Sequence, residues 1–185
     1  MSAWNGWYHV NGNTYGTWLR GDARGWRTRH HREHVEGDYK NPPAPGTFEE
    51  TLERSKRLMS KPPVRLSAPQ RAVAGRAMVE KLAELGIEVI AASVDAVHFH
   101  VLARFRDGEV RPRVARAKKH ASHELTKVGL PGQVWAKRSR ALPITDRTHQ
   151  VNTFGYILEH AEKGAWVWSF RQGLYWRKED GKPSA

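Results

Sequence analysis

Cysteine is absent from the 185 residues. That excludes disulfides, thiolate zinc sites and a cysteine nucleophile. Long apolar runs are also missing. No stretch approaches the roughly 20 residues of a membrane-spanning helix, and the N-terminal residues do not show a secretory leader pattern. The expectation is a soluble, intracellular protein. Acidic residues are scarce, 19 Asp plus Glu against 31 Lys plus Arg, for a net charge of +12. Such an excess points to a polyanionic partner, nucleic acid first, with a basic surface kept for solubility as the plainer alternative. The length suits one domain with a single substantial core. What is abundant is tryptophan, eight in all. Some belong to the core, but Trp near Arg also stacks on unpaired bases.

The most informative stretch is Val97-His98-Phe99-His100-Val101, inside an apolar run from Val94 to Phe105. Its length and β-branched content predict a buried strand. Side chains at i and i+2 share a face of a strand, so His98 and His100 stand side by side, opposite Phe99. Two parallel imidazoles on a stiff strand make half of a metal site, neutral imidazole being the commonest ligand for divalent transition ions. Two polar residues on a half-exposed strand are the plainer reading.

The surrounding chain supplies a scaffold. Trp7 to Val10 reads as a short strand and Asn11-Gly12-Asn13 as a turn. The glycines and tryptophans of Tyr15 to Trp26 suggest an ordered loop. Arg29-His30-His31-Arg32 lies in a polar stretch that reads as a solvated basic loop, with phosphate or metal contact as alternatives. Thr47 and Glu50 form a capping box for a short helix to about Met59. Ser67 and Gln70 form a second, for a helix to Leu85 with stripe Val73, Ala77, Met78, Leu82 and Leu85, stopped by Gly86. Ile87 to Ser93 is a strand that turns at Asp95-Ala96 into the histidine strand, an antiparallel hairpin. A third helix, about Val110 to Val128, carries Val110, Val114, Ala117, Ala121, Leu125 and Val128 on one side and basic residues on the rest. Gln133 to Lys137 suggests a further short strand.

A last helix, capped by Thr148 or Asp146, runs to about Lys163 and stops at Gly164. Val151, Phe154, Leu158 and Ala161 are its expected apolar stripe. Tyr156 falls nearly opposite, and His160 is only about 40° from it around the wheel. Glu159 and Asn152 lie on the flank. A surface tyrosine beside a helix-stabilising histidine is the bland alternative.

The set resembles a known family. His98-Phe99-His100 matches the His-hydrophobic-His motif of HUH nucleases, and the helix with Tyr156 and a ligand four residues on is similar to that of single-tyrosine HUH transposases of insertion sequences and REP-associated tyrosine transposases. Thr14 to Leu19, Gly21-Asp22, Arg24-Gly25-Trp26, Pro62 to Leu66 and Tyr156 to Glu159 look like segments of one transposase subgroup. The likeness runs from about Trp7 to Trp168.

The resemblance implies an α+β, ferredoxin-like (RRM-like) sandwich with a central antiparallel sheet and a separate C-terminal tyrosine-bearing helix. On this reading residues 1–185 form a single domain with a polar insertion around 27–66. It implies cleavage and rejoining of single-stranded, hairpin-forming DNA by a nucleoid-associated homodimer. Tyr156 would be the nucleophile, giving a 5′-phosphotyrosine. His98, His100 and His160 would hold a divalent ion, Mg²⁺ or Mn²⁺, with Glu159 the fallback third ligand. Three imidazoles suit Mn²⁺ or another transition ion better than Mg²⁺. Arg104, Arg113, Lys118 and Lys119 would contact phosphates, and Trp18 or Trp26 could stack bases. Relatives often carry Gln at the position of His160 and Asn at that of Val97.

Three rivals remain. A histidine-triad nucleotide hydrolase needs a third His at position 102, which is Leu102. A non-catalytic, domesticated nucleic-acid-binding domain of the same fold would keep the charge. A phosphodiesterase would use metal-bound water and no tyrosine adduct.

Overall fold

The computed structural model describes residues 3–27, 34–36 and 43–172. In chain order its elements are β1 (Trp7–Asn13), β2 (Gly25–Arg27), β3 (His34–Glu36), α1 (Glu49–Arg57), α2 (Ala68–Glu84), β4 (Glu88–Val94), β5 (His98–Arg104), α3 (Val110–Lys127), β6 (Arg140–Pro143), α4 (Arg147–Leu158) and β7 (Trp166–Ser169). Short 3₁₀ turns occupy Trp4–Gly6, Glu159–Lys163 and Phe170–Gln172. The described residues divide into two compact units, one within 1–14 and 65–185, the other within Tyr15–Val64.

The larger unit is an α+β sandwich. Its sheet has the order β6-β1-β5-β4-β7, antiparallel throughout. With α2 between β1 and β4, and α3 between β5 and β6, the first four strands trace the βαββαβ path of a ferredoxin-like fold, and β7 adds a fifth strand at the edge. One sheet face carries Val10, Val89, Phe99, Val101 and Ala103, all buried, and is covered by α2, against which α3 packs. Each such Val or Phe side chain contributes roughly 1.5–3 kcal/mol. The opposite face carries the histidines. Its apolar part, Trp7, Ala91, Leu102 and Ile144, packs with Ile157 of α4.

Several helix and turn signals act as read. Ser67 caps α2 with a reciprocal Gln70 bond, and Gly86 follows at φ 73°. Asp95 makes the β4–β5 turn, its Oδ1 accepting from the amides of Val97 and His98 at 2.6 and 2.7 Å. The stripe of α3 is buried as expected from Val110 to Leu125, though Val128 is exposed.

Other expectations are corrected. Asn11-Gly12-Asn13 is not a turn, because β1 continues through it, pairing Asn13 with His98. The glycine serves packing: a Cβ on Gly12 would lie 2.7 Å from the Phe99 ring. Gln133 to Lys137 makes only an isolated bridge, Thr14 to Trp135, and the edge strand is β6 instead. β7 had no periodic signal either, since four residues are too few to show one. Helix α1 starts at Glu49 without a side-chain cap, and the Thr47 hydroxyl donates to Ala44 O instead.

The buried face of α4 is Gln150, Thr153 and Ile157, continued by His160, not the Val151 stripe. Val151 and Ala161 are exposed, while Phe154 and Leu158 are half-buried. A helix lying over a sheet face rich in polar groups buries polar residues, which hydrophobic periodicity cannot register.

In Tyr15–Val64, β2 and β3 pair as a two-stranded ribbon and Ser55 of α1 donates to Arg20 O. Gly21 sits at φ 92° with the backbone of Leu52 against it, leaving no room for a side chain. Residues 28–33, including the cluster Arg29 to Arg32, lie outside the described residues.

Candidate metal centre and tyrosine

Strand β5 presents His98 and His100 on the face opposite buried Phe99, with Asn11 of β1 and Ser93 of β4 directly across from His100. The third histidine arrives from α4. Asp146 caps that helix by accepting from the His149 amide at 2.8 Å. The last turn tightens to 3₁₀ geometry over Glu159–Lys163 and ends at Gly164, whose φ of 75° glycine adopts without strain. His160, on that turn, is buried against the histidine strand.

One ligand nitrogen each from His98, His100 and His160 lies within 4.8 Å of the other two, all from one chain. The second nitrogens are already occupied. His98 Nδ1 is 2.7 Å from Asp95 Oδ2. His160 Nδ1 is 2.8 Å from the Tyr156 carbonyl oxygen. Both partners only accept, so both Nδ1 atoms carry protons, which in the neutral ring leaves each Nε2 a lone pair. His100 Nδ1 lies 2.9 Å from His9 Nε2, and its own Nε2 is buried with no partner among the described residues. An orphaned buried nitrogen is costly unless something fills the space before it. A cation-binding role accounts for it, and the donor set fits a divalent transition ion.

The electrostatics agree. Burial, then the neighbouring His98, His9 and His160, push the His100 pKa down to about 2, against a small opposing pull from Asp95. Burial, then His149, His160 and Arg140, push His9 to about 4. Both rings are therefore neutral at pH 7, the state a ligand needs. Burial works to raise the Asp95 pKa, but hydrogen bonds from the His98 ring and the Val97 and His98 amides outweigh it and hold the carboxyl below its usual range. A charged acceptor thus backs His98.

Tyr156, 44% exposed, stands at the rim. Its ring centroid is 4.8 Å from that of His160, 5.4 Å from His100 and 6.1 Å from His9, each edge-on. A phenol beside imidazoles that could hold an ion has the chemistry of a nucleophile toward a group bound there. Glu159, the alternative ligand, is exposed and stands outside the histidine group.

The expected DNA contacts divide. Lys119 is exposed. Arg113 is half-exposed and pairs with Asp107 at 2.8 Å. Arg104 donates to Asn5 O at 2.8 Å and lies 3.6 Å from Glu88. Lys118 does not face solvent: it is buried, and its ammonium donates to Ala136 O at 2.7 Å. Alternation around α3 is coarse enough that a basic residue next to the stripe folds inward. Within Tyr15–Val64, Trp18 is 45% exposed under the Arg24 guanidinium, and Trp26 lies under Arg20 and beside Phe48.

Sequence reasoning passed over His9 and Asp95 as site residues. The available signal was the alternation His9, Asn11, Asn13 on one strand face, and an acidic residue three before His98.

Fold and site together define a class: an antiparallel αβ sandwich whose sheet holds three converging imidazoles beneath a tyrosine-bearing helix. The chain matches no protein-family model and no curated protein. Among solved structures it is similar to a REP-associated tyrosine transposase bound to a REP hairpin, at 12% identity, covering 89% of this chain and 71% of that one, with a TM-score of 0.49.

Proposed function

We propose that this chain is a single-strand DNA nicking and rejoining enzyme of the HUH tyrosine type, a transposase. One observation carries the reading: three imidazoles with their outer nitrogens committed converge within 4.8 Å, with the Tyr156 ring beside them.

In this reading His98, His100 and His160 hold the cation through Nε2. A divalent ion there would polarise a phosphate oxygen and orient the scissile group, and the imidazole set favours Mn²⁺ or a similar ion over Mg²⁺. Tyr156 is the nucleophile. Its phenolic oxygen gives up a proton and bonds to phosphorus, the bond from phosphorus to the 3′ oxygen breaks, and the leaving oxygen takes a proton. The products are a 5′-phosphotyrosine and a free 3′-hydroxyl. The reverse attack by a 3′-hydroxyl rejoins the strand without a nucleotide cofactor, because the phosphodiester energy is kept in the adduct. Lys119, Arg113 and Arg104 serve the DNA backbone, and the substrate is single-stranded DNA able to form a hairpin. The enzyme acts as a homodimer in which each copy carries the full residue set.

The test is incubation with single-stranded hairpin DNA and Mn²⁺ or Mg²⁺, followed by denaturing electrophoresis. A band of protein joined to DNA is expected for the wild type and its loss for Tyr156→Phe. No adduct from the wild type, or an equal one from the variant, would overturn the mechanism and leave a nucleic-acid-binding domain or a water-using phosphodiesterase.

A further inference from the structure

Two of the three converging histidines have partners that dictate their tautomer, a carboxylate for His98 and a carbonyl for His160. His100 has neither. Its Nδ1 meets only the Nε2 of His9, at 2.9 Å. The two rings are nearly coplanar, 26° apart, with centroids separated by 5.1 Å. That is the arrangement of two imidazoles meeting nitrogen to nitrogen along one plane. His9 reaches this position because β1 runs antiparallel beside β5, with His9 opposite Leu102 and so diagonal to His100 on the same face.

The bond has two possible senses. If His9 donated, His100 would carry its proton on Nε2, a buried donor with no acceptor among the described residues. That proton would also point into the group formed with His98 and His160. If His100 donates, its Nε2 keeps a lone pair, free to join the ligand nitrogens of His98 and His160 that lie within 4.8 Å. Only the second sense gives both nitrogens of His100 a partner once a cation is present.

We infer that His9 is a positioning residue: its Nε2 accepts the Nδ1 proton of His100 and thereby holds His100 as the third ligand of the cluster. The inference rests on reading the histidine group as a cation site, not on the tyrosine chemistry. It assigns to a histidine outside the His-x-His motif the task that Asp95 performs for His98.

Two measurements test it, neither depending on DNA cleavage. Long-range proton–nitrogen correlation spectra of the metal-free wild type should report His100 as the Nδ1-protonated tautomer. Titration with Co²⁺, followed by visible absorption, should show His9→Phe binding roughly 10- to 100-fold more weakly than wild type, with His9→Gln recovering most of the loss. Glutamine restores an acceptor, whereas Phe only fills the volume. An Nε2-protonated His100, a His9→Phe protein that binds Co²⁺ as tightly as wild type, or a His9→Gln protein no better than His9→Phe would overturn the assignment. Should the Phe variant fail to fold, the wild-type spectrum still decides. A wild type that binds no Co²⁺ removes the cation-site reading itself, and a missing DNA adduct with normal Co²⁺ binding removes only the tyrosine mechanism.

Discussion

Lys118 shows how far one side chain can depart from its neighbours. It is 7% exposed, and burial lowers its pKa from 10.5 to about 8. Between those values the unfolded chain keeps a proton that the folded one gives up. Stability therefore rises with pH through that window, and the cost of the buried charge is borne in full below about pH 8. Relative to Lys118→Met, the wild type should gain on the order of 2–3 kcal/mol between pH 7.5 and 10.5 in denaturant titrations. A difference independent of pH would refute the buried ammonium. Asp95 works in the opposite sense at the site. One carboxylate bonds two backbone amides and an imidazole, so it shapes the hairpin and orients His98 together.

At the scale of elements, close approach explains what propensity does not. Gly75 lies inside α2, where alanine would ordinarily be better by about 1 kcal/mol. A Cβ there would fall 2.0 Å from the Trp166 ring of β7. Gly75→Ala should therefore destabilise the protein by about 1–3 kcal/mol in urea unfolding, and a double-mutant cycle with Trp166→Ala should show the two changes coupled. Full additivity would mean that β7 does not rest on α2. The face of α4 carries the complementary lesson. Its buried side includes Gln150, Thr153 and His160 because it covers polar residues of the sheet, so the stripe of Val151, Phe154, Leu158 and Ala161 named the wrong side. Tyr156 nonetheless reaches the cluster, since it stands one turn before His160 on the same edge of the helix.

For the whole molecule the excess of positive charge sets the expectation. With a net charge of +12, binding to single-stranded DNA should be dominated by phosphate contacts. Four such contacts imply a loss of roughly 50-fold between 50 and 200 mM salt in a fluorescence anisotropy titration. An affinity flat across that range would argue against this mode of binding. Much of the architecture could be read from residues alone. The capping box of α2, the β4–β5 hairpin and the stripe of α3 are local signals, written in spacing and in turn chemistry, so a single chain displays them. The His98–His100 pair was legible for the same reason, because strand alternation is a property of consecutive residues. What only the tertiary structure decided are relations across long separations: β1 running on through Gly12 because Phe99 needs the space, the edge strands β6 and β7, the inward turn of Lys118, and His9 meeting His100 across 91 positions. Local sequence records which residues neighbour each other along the backbone, but a hydrogen bond between two strands depends on register, which is settled only when the whole sheet packs.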